Sequence, residues 1–424
     1  MSRCSFPQRL LLVRVAAALA GLSCALLVPR AYAGLRPMYG GELIVWAPGM
    51  PQVTEPARAW SSVEVLLAHT EGYGLESWLD GPPEVSGASV RFDLRPDAIW
   101  RDGTPVEGGD LALRLAQSLA QSRVALPPFN FHANGREVIA DLPTPLVSEE
   151  SYVLLPWLRP PAGQNGSAYR IKKGAYEADP RGAGGRPFAD RVRVEVRQGA
   201  RLDVPADGLA LAQSGGDGRP VFALVEPGSP SRGALAAALT TLDRASLAKY
   251  FIRSPAHIPE GWSIPAAPAM PPPDRSIVLA VDASEHDLET VAERLQILLR
   301  DQQIDARIVA EDRNAHWTRL TGNQYDLAVV ALPPAPRLVQ AATLLRLLQG
   351  RDAPDHFWVR PDVAEASPQD PAMLKKTADA LGAVLLYMED GNIVYGSHVR
   401  APFGAPLWQI DPAELWLSAG GSPP

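Results

Sequence analysis

Apolar and polar positions alternate strictly from Val90 to Arg95. Val90, Phe92 and Leu94 share one side and Arg91, Asp93 and Arg95 the other, the period-two pattern of a half-buried strand. Asp102-Gly103-Thr104-Pro105 then predicts a turn, because glycine tolerates positive φ and proline fixes the exit. Leu111, Leu115 and Leu119 follow at helical spacing, with Asp110 placed to cap that helix. The same pattern predicts a strand at Glu42–Trp46, closed by Ala47-Pro48-Gly49, and a helix from Trp60 to Leu75. A second alternating strand is expected at Glu137–Leu142, an apolar patch at Ser151–Trp157, and a long helical region over Ser231–Arg253.

The second half of the chain is more regular. Ile277–Val281 predicts a buried strand, and Leu288, Val291, Leu295 and Leu298 mark one face of a helix. Strands at Ile304–Val309 and Tyr325–Leu332 complete a β-α-β-α-β order, which implies a mainly parallel sheet covered by helices. Pro336–Gln349 and Ala372–Leu386 are expected as further amphipathic helices. Pro265–Asp274 has five prolines in ten residues and predicts a stiff, extended linker. The expected division is a first lobe over 34–264 completed by 387–424, a linker at 265–274, and a second lobe over 275–386.

Composition changes this picture in one respect, the compartment. Residues 1–33 carry Arg3, Arg9 and Arg14, an apolar stretch from Val15 to Val28, and Ala31-Tyr32-Ala33 before Gly34. That is the layout of a cleaved export signal, and the apolar run is shorter than the roughly 20 residues of a spanning helix. Cleavage before Gly34 is the expectation in preference to lipid attachment at Cys24, and it places the product in the periplasm or another extracytoplasmic space. It removes Cys4 and Cys24, the two cysteines of the chain, so cysteine nucleophiles, thiolate metal sites and disulfides are excluded from the product. It also removes four arginines and moves the formal charge from −7 to −11. An acidic exported chain argues against nucleic acid as a partner.

Catalysis has little support in the residues. The mature chain contains no G-x-S-x-G elbow, and its seven histidines (His69, His132, His257, His286, His316, His356, His398) form no H-x-x-x-H pair, so neither metal nor cofactor is expected. Gly182-Ala183-Gly184-Gly185 is a turn and lacks the spacing of a phosphate loop. Binding is better supported, since clefts of two-lobed α/β proteins open beyond the carboxyl ends of sheet strands. By that rule the candidate ligand contacts are Trp46, Pro48 and Met50 after the first strand and Pro333 and Pro334 after Leu332. His356, Phe357 and Trp358 supply further aromatic surface. Core packing is the competing account of each aromatic.

The run VRFDLRPDAIWRDGTPVEGGDL, residues 90–111, resembles the signature of bacterial family 5 extracellular solute-binding proteins. Arg95, Trp100, Asp102, Gly103, Pro105 and Asp110 fill the fixed positions, where the family uses them structurally. Weaker likenesses occur at Gly40-Gly41 before the first strand, at Ala168–Ile171, at Gly185–Val192, at Arg232…Leu242-Asp243-Arg244, and at Tyr325-Asp326. The chain is shorter than many members. The resemblance implies a two-lobed α/β fold of the periplasmic-binding-protein type (type II), with mixed sheets and an inter-lobe cleft. It implies a monomer that captures a solute, foremost a peptide, for an inner-membrane ABC permease and performs no chemistry on it. The alternative is a degenerate version of the fold serving as an envelope sensing or protein-interaction module.

Overall fold

The computed structural model describes residues 39–47, 78–81, 83–100, 103–142, 168–172, 175–179, 186–196, 208–211, 218–253, 256–350, 353–358, 371–389, 393–396, 398–400 and 415–417. The expected signal with Ala31, Ala33 and Gly34, the helix at 60–75 and the patch at 151–157 lie outside them, as do Pro48, Met50 and Asp102.

In chain order, β1 (Glu42–Ala47) is followed by a small unit of β2 (Glu84–Ser86), β3 (Ser89–Asp93), α1 (Gly108–Gln121), β4 (Asn130–Asn134) and β5 (Glu137–Asp141). Strands β6 (Tyr169–Lys172), β7 (Ala175–Ala178), β8 (Arg191–Val196) and β9 (Gly208–Leu211) come next. The following run holds β10 (Arg219–Val225), α2 (Arg232–Leu239), α3 (Arg244–Tyr250), β11 (Ala256–His257), β12 (Ile277–Asp282), α4 (His286–Asp301) and β13 (Ala306–Glu311). It continues through α5 (Arg313–Thr321), β14 (Leu327–Ala331), α6 (Arg337–Gln349), α7 (Ala353–Trp358), α8 (Pro371–Leu381) and β15 (Val384–Glu389). The chain closes with β16 (Ile393–Tyr395), β17 (Val399–Arg400) and β18 (Trp416–Leu417).

Two mixed six-stranded sheets dominate. The first has the order β16-β9-β1-β8-β7-β6, with β1 parallel to both β8 and β9. The second has the order β11-β15-β10-β14-β12-β13, with β12 parallel to β13 and β14. A four-stranded antiparallel sheet, β2-β3-β5-β4, makes the small unit.

That unit contains the signature run, and its strand, turn and helix form as the alternation predicts. Val90, Phe92 and Leu94 are buried, and Leu111 and Leu115 are fully buried on the inner face of α1. Gly103 holds φ +88°, the left-handed conformation open to glycine. The Trp100 amide donates to the Thr104 carbonyl at 2.7 Å and the Gly103 amide to the Trp100 carbonyl at 2.9 Å, closing the turn. Trp100 is buried edge-on against Trp78, with ring centroids 5.0 Å apart, while the Arg114 guanidinium lies 4.5 Å from its ring centre. Pro105 bridges to Ile99, and the Arg95 side chain pairs with Asp97 at 2.6 Å. Asp110 is not the cap. The helix starts at Gly108 after Glu107, so Asp110 sits in the first turn, where its charge complements the helix dipole.

Sheet membership shifts two expected boundaries. The second sheet already begins at Arg219, and β10 and β11 pair with β15, so residues 219–257 belong with 277–389. The proline-rich stretch 265–274 therefore runs between two strands of one sheet. Within it Ala267 and Pro273 are half-buried, while Pro265, Pro268 and Pro271 face solvent. At the other end, the helix expected over Ala372–Leu386 stops at Leu381. Past Gly382 the apolar run is strand β15, buried from Val384 to Met388. The chain rejoins the first sheet only at Ile393, which pairs with Leu211.

Candidate functional site

The chain passes between the two large sheets twice, and both passages lie at one edge. Strand β10 runs antiparallel to β14, so its first residue, Arg219, lies at the carboxyl end of β14, and Arg219 also pairs with Glu389, the last residue of β15. On the first sheet, Leu211 at the end of β9 pairs with Ile393 at the start of β16. Residues 212–218 and 390–392 thus join the carboxyl edge of one parallel set to that of the other. The carboxyl edges that these connections join are where α/β sheets hold ligands. Gly218 is required there by close approach: a Cβ would lie 2.3 Å from the Glu389 carbonyl oxygen and 2.7 Å from Met388 Cγ. The Gly218 carbonyl accepts from the buried Arg337 Nη1 at 2.9 Å, and the same nitrogen donates to Gln340 Oε1 at 2.7 Å.

A row of alternating charges lines this edge of the second sheet. Arg219, 5 % exposed, meets Glu285 through both terminal nitrogens at 2.6 and 2.7 Å and Glu389 at 3.1 Å. Arg313 continues the row, donating to Glu285 at 2.8 Å and to Asp282 at 2.9 Å, and Ser284 turns its amide onto Asp282 at 2.9 Å. Burial opposes the charge on Arg219, yet Glu285 and Glu389 outweigh it and raise its pKa. Burial likewise raises Glu389, to about 7, helped by Glu285 and Asp287 and resisted by Arg219. The two shifts agree once the distances are compared: Glu285 takes the short, two-pronged contact, and Glu389 is left with the longer one. Asp282 is held below the usual carboxylate range because Arg313 and Ser284 overcome its burial. At the opposite edge, Asp326 ties the sheet to its surroundings through Ser229 Oγ at 2.7 Å, the Val278 amide at 2.9 Å and Arg275.

His316 lies under this row on α5, 5 % exposed, and burial lowers its pKa to about 4. It is therefore neutral in the fold but takes up a proton when unfolded below about pH 6.5, so stability falls as pH drops from about 6.5 to about 4. Glu389 acts in the opposite sense: protonated in the fold up to about pH 7, it weakens the fold as pH rises from about 4.5 to about 7. The two groups therefore oppose each other over their shared window. Urea unfolding at pH 4.5 to 7.5 separates the two contributions when the native chain is compared with a variant of each. Glu389→Gln should give stability rising with pH and His316→Leu stability falling with it. Parallel profiles for all three proteins would refute the assignment.

Of the candidate ligand contacts, Trp46 lies at the carboxyl end of β1, half-buried, in register with Glu195 and Ala210. Pro333 and Pro334 follow β14 and are buried; the Pro333 carbonyl accepts from Gln340 Nε2 at 2.9 Å. Phe357 and Trp358 are 5 % and 6 % exposed, meet edge to face with ring centroids 5.6 Å apart, and belong to the main hydrophobic core, whereas His356 is exposed. The structure thus keeps Trp46 at the carboxyl edge and withdraws Phe357 and Trp358 into packing. The charge row escaped sequence reasoning because its members span 170 positions and share no motif. Among the described residues, no group of three or more His, Cys, Asp or Glu is placed to hold a metal, and no helix is long and apolar enough to cross a membrane.

No family profile matches this chain, and no curated protein matches it. Solved structures do. OppA from Haemophilus influenzae, in complex with the peptide RPPGFSPFR, superposes with a TM-score of 0.65 at 11% identity, covering 91% of this chain and 100% of that one. The oligopeptide-binding protein AppA from Bacillus subtilis, in complex with a nonapeptide, gives 0.61 at 14% identity over 91% and 100%. NikA from Staphylococcus aureus, in complex with Ni(L-His)2, gives 0.62 at 11% identity over 89% and 99%. The chain has the two-lobed α/β fold of periplasmic binding proteins, as the signature run implies.

Proposed function

We propose that this chain is the extracytoplasmic solute-binding component of an ABC importer and that it captures a peptide between its lobes. The observation that supports the reading is that the chain passes between two mixed sheets twice, each time from carboxyl edge to carboxyl edge, and we read a hinge between the lobes at these passages. Likeness of fold to peptide-binding OppA and AppA supports the choice of solute, with a nickel chelate of the kind held by NikA next in line. In this reading residues 1–33 direct export and are removed before Gly34, the product is a monomer, and an inner-membrane permease receives the closed form. The lobes follow the sheets: 39–211 with 393–417 on one side of the hinge, apart from the small unit, and 219–389 on the other. Trp46 offers the solute an aromatic wall.

Thermal unfolding of the chain against peptides of two to ten residues, nickel with histidine, and free amino acids tests this. A solute at a hundredfold excess over its Kd should stabilise the fold by about 2.7 kcal/mol, and Trp46→Ala should remove most of that gain for the same solute. An unmoved midpoint across the whole panel sinks the proposal. A second reading, an envelope module that holds a partner protein, draws on the withdrawal of Phe357 and Trp358 into the core, since aromatic surface once expected in a cleft is spent on packing. A flat panel would favour it.

A further inference from the structure

The outer end of the first sheet carries a cavity that plays no part in the proposed capture of a peptide. It has a volume of about 400 Å³, opens to solvent, and is lined by Glu177, Ala178, Arg186, Asp190 and Arg191. Arg191, the first residue of β8, is in register with Glu42, the first of β1, so the cavity sits at the amino edge of the parallel strands. Trp46 lies at the other end of β1, roughly 13 Å away at the rise of a strand.

Strand register sets out its charges. Arg170 on β6 lies opposite Glu177 on β7, and Glu177 opposite Arg191 on β8, so the three side chains rise from one face with alternating sign. Glu42 extends the file, 3.2 Å from Arg191. Arg186 and Asp190, paired at 2.6 Å, form the far side. Remote stretches of chain hold that side in place. The Gly40 amide donates to the Phe188 carbonyl at 2.7 Å and the Asp190 amide to the Gly41 carbonyl at 3.0 Å. The Arg186 guanidinium lies 5.6 Å from the Tyr39 ring centre, Tyr39 packs on Phe188, and Phe188 on Trp416 of β18.

Two guanidinia and two carboxylates leave the lining without net charge. A net anion would meet Glu177 and Asp190, a net cation would meet the arginines, and an apolar solute gains little from ionised walls. A ligand carrying both signs finds a complementary group at each end. Nor do the ion pairs exhaust these groups. Arg186 reaches Asp190 at Oδ1, Lys172 reaches Glu177 at Oε2, and Arg191 reaches Glu42 through Nη1. Each carboxylate keeps its second oxygen, and each guanidinium further N–H groups, for a guest. The hydrogen bond from Lys172 holds Glu177 below the usual carboxylate range, so it is ionised at neutral pH.

We infer that this cavity is a second binding site, which takes a small zwitterion of amino-acid size. Arg186 and Arg191 receive its carboxylate, and Glu177 and Asp190 its ammonium group.

L-Leucine is the probe, because its charges are those of the amino-acid backbone alone. Equilibrium dialysis of the full chain against radiolabelled leucine should show binding at millimolar concentrations. N-Acetyl-L-leucine lacks the ammonium group and L-leucinamide the carboxylate, so each should compete about tenfold less well, the effect of losing one charge-assisted hydrogen bond. Glu177→Gln and Arg191→Gln should weaken leucine to the same extent, and Trp46→Ala should leave it unchanged. No retention of leucine, or equal competition by both blocked forms, would overturn the proposal. So would leucine binding that survives Arg191→Gln and disappears in Trp46→Ala, which places it at the opposite edge. Peptide capture fails or stands separately, on the unfolding panel.

Discussion

Arg219→Met is expected to destabilise the fold by about 3–5 kcal/mol at pH 7, because it leaves the largely buried Glu285 without its two-pronged cation and strips Glu389 of its donor. Arg219 is 5% exposed and the two carboxylate side chains are 17% and 14% exposed, so water screens little of the loss. A methionine fills most of the volume, which confines the effect to charge. The loss should shrink on acidification, since less negative charge then faces the missing arginine. Adding Glu389→Gln to Arg219→Met should restore part of the stability at pH 7. Urea midpoints at pH 5 and pH 7 measure both effects. A variant as stable as the native chain at pH 7 would mean that the row is not a coupled unit.

Trp100→Ala should cost a similar amount, about 3–5 kcal/mol, the usual range for truncating a buried large aromatic. The indole packs within the small unit against Trp78, beside the turn that the Trp100 main chain closes with Thr104 and Gly103. Its removal opens a cavity beside a continuous core, so the effect should reach α6 and not remain in the turn. Trp100→Phe, which keeps a ring in place, should recover about half. Chemical unfolding gives the magnitude, and a loss below about 1 kcal/mol for the alanine variant would show that the ring is not the keystone of the unit.

The strand, turn and helix of residues 90–121 were legible because each rests on local chemistry: alternation, a glycine with φ +88° and leucines one turn apart. So was the β-α-β-α-β order of the second sheet, which residues 277–331 adopt within a few positions of their expected ends. Strand β10 was not. Arg219–Val225 is buried along its whole length, and a short apolar run without alternation does not declare its period. Its membership of the second sheet went unread, since the strand's partners β14 and β15 lie about a hundred residues or more downstream. The cap at Asp110 was misplaced by three residues, a shift that propensity alone cannot fix. Phe357-Trp358 illustrates the limit for sites: an aromatic pair has the same local sequence whether it walls a cleft or fills a core, and tertiary packing makes the choice.

Native mass spectrometry of the purified chain, mixed with a randomised pool of short peptides, tests the central claim most directly. A peptide receptor should carry one peptide per chain through desalting, drawn from a narrow subset of the pool, and release it on acid unfolding. Free protein alone, from a sample that remains folded, would contradict the account.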